Sequence, residues 1–147
     1  MKPSKNCYKL IKQFEGCNLK AYKDPIGVIT IGYGTTNADS DLTGKTITLN
    51  TKISQKTADK WLEKTVKKKY AKKVDKWMST YNFTQNEYDS LVSFAYNIGS
   101  IDQLTGNGTR DKRTIANKML LYTNANGVEL AGLVNRRKAE HKLFTKK

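Results

Sequence analysis

The sequence predicts an α+β fold in which a small N-terminal β-hairpin lobe is followed by a larger, mainly helical lobe. Residues 19–36 are rich in β-branched residues, aromatic residues and glycines, which is typical of strands and turns. From Ser54 onward, apolar residues recur with the period of an α-helix. A shorter apolar stretch ahead of Glu15 predicts one helix before both segments.

A single catalytic domain is expected, because the 147 residues of the chain lie close to the ~150 residues of an average domain. A domain of ~150 residues buries ~68–70% of its unfolded surface, which is enough for a real core. We expect the β-rich lobe at about residues 15–53, and the helical lobe at about residues 54–147 together with the N-terminal helix. No apolar run approaches the ~18–20 residues of a membrane span.

The first helix and the β-rich segment carry recognisable boundary signals. Ser4 is a suitable N-cap for the helix. Residues 24–27, Asp-Pro-Ile-Gly, predict a turn, because proline presets φ at the second turn position and glycine suits the fourth. The segment 19–36 is therefore predicted to be a hairpin, and a short third strand is predicted at residues 46–49.

Helices are predicted to fill the rest of the chain. One apolar face runs from Ala58 to Met78. Its opposite face carries seven lysines, Lys64, Lys67, Lys68, Lys69, Lys72, Lys73 and Lys76. Thr84 and Glu87 form a capping box before an almost wholly apolar helix, which we place at the centre of the larger lobe. After a polar loop at residues 105–113, we expect a helix that ends near Gly127 and a last helix over residues 130–143.

The net charge of the chain limits the classes of binding partner that we expect. Twenty-seven Lys and Arg against thirteen Asp and Glu give a net charge of +14, which favours nucleic acid, an anionic membrane surface or a polyanionic bacterial wall. No helix-turn-helix, zinc-finger or ribonucleoprotein signature is present, so nucleic acid is not expected. The lysine face is either a solvated surface or a means of attraction to anionic wall polymers or lipid. We expect a monomer without stable membrane insertion.

The cysteines and the histidine indicate no cofactor. Cys7 and Cys17 are too few for a disulfide framework, so both are expected to be reduced. The single histidine, His141, forms no metal-ligand spacing with them, and neither a metal nor another cofactor is expected. Residues 1–12 lack the continuous apolar stretch of a signal peptide, which favours synthesis in the cytoplasm.

Three polar residues near the N-terminus have the chemistry of glycoside hydrolysis. Glu15 ends the first helix, Asp24 starts the hairpin turn and Thr30 lies on the returning strand. A carboxylic acid that protonates the leaving oxygen, and a carboxylate on the opposite face of the sugar, are what this reaction needs. The hydroxyl of Thr30 is suited to holding water. From spacing alone, a turn aspartate, a solvated glutamate and a strand threonine explain the same residues.

The same segment resembles a known family. Residues 15–34, EGCNLKAYKDPIGVITIGYG, look like the catalytic segment of the phage-type lysozymes, glycoside hydrolase family 24. The family pattern of Glu, eight residues, Asp, five residues, Thr is matched by Glu15, Asp24 and Thr30. Residues 94–99, FAYNIG, resemble the central-helix signature of the family, and residues 132–137, GLVNRR, with Glu140 resemble its C-terminal one.

This resemblance implies a lysozyme-like fold with an active-site groove between the two lobes, and cleavage of bacterial peptidoglycan. It makes Glu15 the general acid, with Asp24 and Thr30 positioning water, and inversion as the expected outcome. Arg136 is expected to pair with Glu15, and Asn97 to bind a sugar. A solvated charge for Arg136 and a helix-capping amide for Asn97 are the alternatives.

The chain departs from the family pattern at two places. Thr35 stands where the family often has histidine, and residues 100–113 look longer than in shorter members.

Two other functions compete with hydrolysis. A lytic transglycosylase would cut the same bond with one acid and would not need Asp24. A basic, non-catalytic polyanion or wall-binding domain is the other alternative. By analogy with the family, the protein is expected to reach the wall after release through a holin-type pore.

Overall fold

The computed structural model describes residues 1–147. The helices are α1 (Lys5–Glu15), α2 (Ser40–Thr43), α3 (Gln55–Thr65), α4 (Ala71–Asp75), α5 (Met78–Tyr81), α6 (Gln85–Ile98), α7 (Asp102–Thr105), α8 (Lys112–Met119) and α9 (Ala131–Thr145). The strands are β1 (Asn18–Lys23), β2 (Ile29–Gly32), β3 (Thr35–Thr36), β4 (Asn124–Ala125) and β5 (Val128–Glu129). None of the helices has the length and apolar character that crossing a membrane requires.

The chain forms two compact units, one of residues Glu15–Lys69 and one of Met1–Phe14 with Tyr70–Lys147. The first unit is built on the antiparallel sheet β1-β2-β3. Its core consists of Ala21, Ile31, Ile47 and Trp61. Trp61 comes from α3, which starts behind Ser54, whose side chain accepts a hydrogen bond from the Thr57 amide. The predicted hairpin is therefore present, and α3 belongs to the same unit as the sheet.

The predicted strand at residues 46–49 is wrong. The backbone amide of Ile47 donates to Asn37 Oδ1 at 2.7 Å, and its carbonyl accepts from Asn37 Nδ2 at 3.0 Å. A side chain thus satisfies the backbone groups that a strand would use in a ladder. The chain pairs with β1 slightly later, where Lys20 and Lys52 form an isolated bridge.

In the second unit, α6 forms the core. Its residues from Tyr88 to Ala95 are all buried, and it packs against α4 and α9. The predicted capping box is confirmed, since the Thr84 side chain accepts from the Glu87 amide and the Glu87 side chain accepts from the Thr84 amide. Gly99 ends the helix with φ 105°, in the left-handed region.

Two further expectations are corrected. The helical segment from Ala58 to Met78 is not one helix, because a π-helical stretch, Val66–Tyr70, separates α3 from α4. The helix predicted to end near Gly127 stops at Met119, and β4 and β5 follow. Asn126 and Gly127 both have positive φ, 53° and 77°, which is typical of a tight hairpin turn.

The N-terminal helix and Cys7 belong to the second unit, whereas Cys17 belongs to the first. Helix α1 begins directly after Ser4, as predicted, but the Ser4 amide and hydroxyl both donate to the carboxylate of Asp89. Both cysteines are free. Burial raises the pKa of the Cys7 thiol, so it stays protonated at neutral pH.

Candidate active site

Glu15 is the last residue of α1 and is partly buried. Gly16 follows with φ 67°, a conformation that glycine adopts without the steric cost of a Cβ atom. The chain then enters β1 at Asn18. Glu15 is therefore both the last residue of α1 and the first residue of the unit that contains the hairpin.

Asp24 holds the hairpin turn with only one of its carboxylate oxygens. Its Oδ1 accepts from the amides of Ile26 at 3.0 Å and Val28 at 2.8 Å. The Gly27 amide donates to the Asp24 carbonyl at 2.9 Å. The turn hydrogen bonds thus leave Oδ2 outside their network. The structural role and the predicted catalytic role of Asp24 can therefore coexist.

Thr30 lies on β2, buried, opposite Tyr22 of β1. Its hydroxyl donates to the Val28 carbonyl at 3.0 Å. Since a hydroxyl has one proton and two acceptor lone pairs, Thr30 Oγ1 can then only accept from a further partner. A water molecule that meets this oxygen would have to donate to it.

Val28 joins the two predicted site residues through its backbone. Its amide donates to Asp24 Oδ1, and its carbonyl accepts from the Asp24 amide at 2.9 Å and from the Thr30 hydroxyl. Thr30 is the ladder partner of Tyr22, and Asp24 follows directly after the end of β1. One backbone residue therefore anchors both side chains, Asp24 through its Oδ1 and Thr30 through its hydroxyl.

Tyr33 fastens the segment after β2 to α3. Its hydroxyl donates to Asp59 Oδ1 at 3.1 Å and accepts from Gln55 Nε2 at 2.9 Å. Burial, together with the hydrogen bond to Asp59, raises the pKa of Tyr33 to about 12. This link lies two residues before Thr35, the position where the histidine of the family pattern is absent. The sequence analysis missed it.

Arg136 is not the solvated charge that we considered as an alternative. Its side chain is 3% exposed, and its Nε lies 3.2 Å from Glu140 Oε2. One terminal nitrogen donates to the Ser93 carbonyl at 3.1 Å. The Ser93 hydroxyl donates to the same Glu140 oxygen at 2.6 Å. Glu140 and Ser93 thus hold the predicted arginine on α9 against α6.

Glu140 also forms an ion pair with the next residue after Arg136, Arg137. Arg137 Nε lies 2.7 Å from Glu140 Oε1, with both side chains fully buried. The two terminal nitrogens of Arg137 have no hydrogen-bond partner, and its guanidinium lies 4.8 Å from the centroid of the Phe94 ring. Burial raises the pKa of Glu140, against the opposing effect of the two guanidinium groups. Two cations share one buried anion.

Asn97 lies in the last turn of α6. Its Oδ1 is buried without a hydrogen-bond partner. The helix end is capped instead by the backbone, where the Gly99 amide donates to the Ala95 carbonyl at 2.7 Å. Because an unsatisfied buried acceptor is costly, this oxygen is suited to a ligand donor.

The predicted site residues thus divide between the two units. Glu15, Asp24 and Thr30 belong to the unit Glu15–Lys69, while Asn97 and Arg136 belong to the other. No group of three or more histidine, cysteine, aspartate or glutamate side chains is placed to hold a metal ion. The roles assigned to the five residues, and the pairing of Arg136 with Glu15, stay predictions.

Comparisons with known proteins agree with the motifs. A sequence profile described as phage lysozyme matches residues 12–140. The endolysin of Lactococcus phage c2 is 40% identical over 149 residues, which cover 99% of this chain and 61% of that protein. This chain therefore spans about three fifths of the length of that relative.

Solved structures give the same result. The endolysin from Escherichia coli O157:H7 phage FAHEc1 has a TM-score of 0.80 at 33% identity, over 99% of this chain and 94% of that one. The muramidase domain of SpmX from Asticaccaulis excentricus has a TM-score of 0.79 at 29% identity, over 99% of both chains. The predicted α+β, lysozyme-like class is confirmed.

Proposed function

The chain belongs to the phage lysozyme family, and on this basis we propose that it is an endolysin-type lysozyme. It hydrolyses the β-1,4 bond between N-acetylmuramic acid and N-acetylglucosamine in bacterial peptidoglycan. The observation that carries the proposal is the arrangement around Val28, in which Asp24 keeps Oδ2 outside the turn and Thr30 can only accept. These are the two acceptors that an attacking water needs.

In this mechanism Glu15 is the general acid. It gives its proton to the glycosidic oxygen as the bond from that oxygen to the anomeric carbon breaks. A water donates one hydrogen bond to Asp24 and one to Thr30, so that its lone pair faces the anomeric carbon. The new bond forms on the opposite face, and the proton passes to Asp24. The product is inverted, which requires about 6.5–9.5 Å between the two carboxyl groups.

Substrate binding is assigned to the other two predicted residues. The buried, unpartnered Oδ1 of Asn97 supports a hydrogen bond from an amide or hydroxyl of the sugar. Arg136 is held by Glu140 and Ser93, which supports a fixed orienting charge rather than a mobile one. The protein acts as a monomer on the wall, after release from the cytoplasm where it is made.

The decisive variant is Glu15→Gln, which removes only the ionisable proton. We expect it to abolish the clearing of a bacterial wall suspension while the thermal unfolding midpoint stays that of the wild type. Lysine-rich surfaces are unchanged in this variant, so a non-catalytic wall binder would clear or aggregate walls equally well with either protein. Retained clearing by Glu15→Gln would contradict the proposal.

Product analysis separates hydrolysis from the alternative cleavage. Hydrolysis leaves reducing N-acetylmuramic acid ends, whereas a lytic transglycosylase leaves 1,6-anhydro ends, because the sugar's own hydroxyl replaces water. We expect reducing ends only, and an inverted anomer in the first product when hydrolysis is followed by NMR. Anhydro ends would show the one-acid reaction instead.

A further inference from the structure

A cavity of about 730 Å³ lies within the unit formed by Met1–Phe14 and Tyr70–Lys147, apart from every predicted site residue. The start of α6, helix α8 and the end of α9 line it. Phe144 and Ala116, 4% and 6% exposed, form its apolar floor. Its volume is in the range of ligand sites, about 300–1,000 Å³.

The walls of this cavity are strongly basic. Lys112 is paired with Glu87 at 2.8 Å, which leaves Arg113, Lys146 and Lys147 as the cations in excess. All three are exposed, so they surround the mouth while the floor stays apolar. The Lys146 carbonyl accepts from Asn86 Nδ2 at 3.3 Å, which ties the end of the chain to α6. The cationic mouth is therefore attached to the helices on both sides.

We propose that this cavity binds a segment of a polyol-phosphate polymer, the chemistry of teichoic acids, and so deepens the proposed action on bacterial walls, on which it rests. Phosphate groups complement the cations at the mouth, and the aliphatic carbons of the polyol complement the apolar floor. A bilayer surface is nearly flat on this scale, so it meets protruding rather than recessed groups. A concave site admits a flexible chain.

The test compares two charge-matched triple variants. Arg113→Gln, Lys146→Gln and Lys147→Gln together remove the excess cations of the cavity. Lys118→Gln, Lys138→Gln and Lys142→Gln remove three exposed cations from α8 and α9 outside it. We expect the cavity triple to bind soluble poly(glycerol phosphate) about tenfold more weakly in calorimetric titration, the loss expected of three exposed charge pairs. The control triple should lose much less.

A charge-neutral variant separates the cavity from general attraction. Asn117 is exposed and lines the cavity, so Asn117→Phe fills it without altering the net charge. We expect this variant to weaken polymer binding severalfold and to leave the thermal midpoint unchanged. Equal losses in the two triples, or unchanged binding by Asn117→Phe, would overturn the proposal and leave only non-specific attraction.

Two further measurements identify the ligand and show whether the polymer proposal or the proposed hydrolase function has failed. Inorganic phosphate should compete weakly with the polymer. Vesicles of phosphatidylglycerol should bind the two charge-matched triples equally, and Asn117→Phe as well as the wild type. If vesicle binding falls only in the cavity variants while the polymer does not bind, the polymer proposal is overturned and lipid is the ligand. Hydrolysis of an uncharged chitooligosaccharide should be the same for every variant. A wild type that binds the polymer but does not hydrolyse would contradict the proposed function alone.

Discussion

At the scale of single residues, the two oxygens of Asp24 have different tasks. Oδ1 satisfies the turn amides, and Oδ2 is assigned to the water. Asp24→Asn keeps an oxygen for the amides but loses the base. We expect turnover to fall by ~10²–10⁴-fold, the usual contribution of a positioned acid–base group, with little change in the thermal midpoint.

Asp24→Ala is the matched control, because it loses the base and the turn acceptor together. We expect the same loss of turnover plus a fall in unfolding free energy of about 1–2 kcal/mol, from two exposed hydrogen bonds. Both quantities are measured by steady-state wall clearing and by urea unfolding. Wild-type turnover in Asp24→Asn would favour the one-acid transglycosylase.

Tyr33 predicts how the protein responds to alkaline pH. Its pKa is raised to about 12 in the folded state, against an ordinary value of about 10. The unfolded chain therefore loses this proton first, so the contribution of Tyr33 to stability is complete below about pH 10 and is lost as the pH rises towards 12. Urea unfolding of Tyr33→Phe should show a shallower fall over that range than the wild type. An unchanged slope would contradict the hydrogen-bonded tyrosine.

At the scale of elements, the contact of α9 with α6 depends on Glu140. It is the one anion shared by two buried guanidinium groups, those of Arg136 and Arg137. Glu140→Gln should cost about 3–5 kcal/mol of unfolding free energy, since it leaves the fully buried Arg137 guanidinium without its anion. Ser93→Ala removes only a neutral hydroxyl, which donates to Glu140 and accepts from Arg136 at 3.4 Å, and it should cost about 1 kcal/mol. Equal losses in the two variants would show that the ion pairs contribute nothing.

Elements with local signals were predictable from the sequence, and those set by distant contacts were not. The turn at Asp24 and the capping box at Thr84 are written in adjacent residues. The backbone of Ile47 is satisfied by Asn37, ten residues away, and no local pattern indicates this. The π-helical stretch has no glycine or proline to mark it. The β4–β5 turn did carry a signal, the dipeptide Asn126-Gly127, which the sequence analysis passed over.

The candidate site divides in the same way. Glu15, Asp24 and Thr30 were predicted from spacing and family resemblance, and their roles stay predictions. The four-residue spacing of Arg136 and Glu140 was visible, but the burial that makes the pair important comes from packing against α6. Tyr33 and Asp59 lie 26 residues apart, so only the fold brings them together.

At the scale of the whole molecule, the net charge of +14 predicts that the rate of wall clearing depends markedly on salt concentration. Exposed charges act over about 8 Å at physiological ionic strength, so they affect the encounter with a polyanionic wall more than bond cleavage. We expect a quadruple variant of exposed lysines to clear whole walls more slowly, most of all at low salt. Its substitutions are Lys67→Gln, Lys68→Gln, Lys72→Gln and Lys73→Gln. Hydrolysis of an uncharged chitooligosaccharide should not change. Equal losses on both substrates would assign these lysines to the site.

The backbone junction at Val28 has an evolutionary consequence. Only main-chain atoms of this residue hold Asp24 and Thr30, while its side chain is 39% exposed. The hairpin can therefore accept drift at a surface position between the two predicted site residues without disturbing the junction, and proline, which has no amide hydrogen, is the one residue that breaks the junction outright. A saturation library at this codon would offer new contacts to saccharides at little risk to the chemistry.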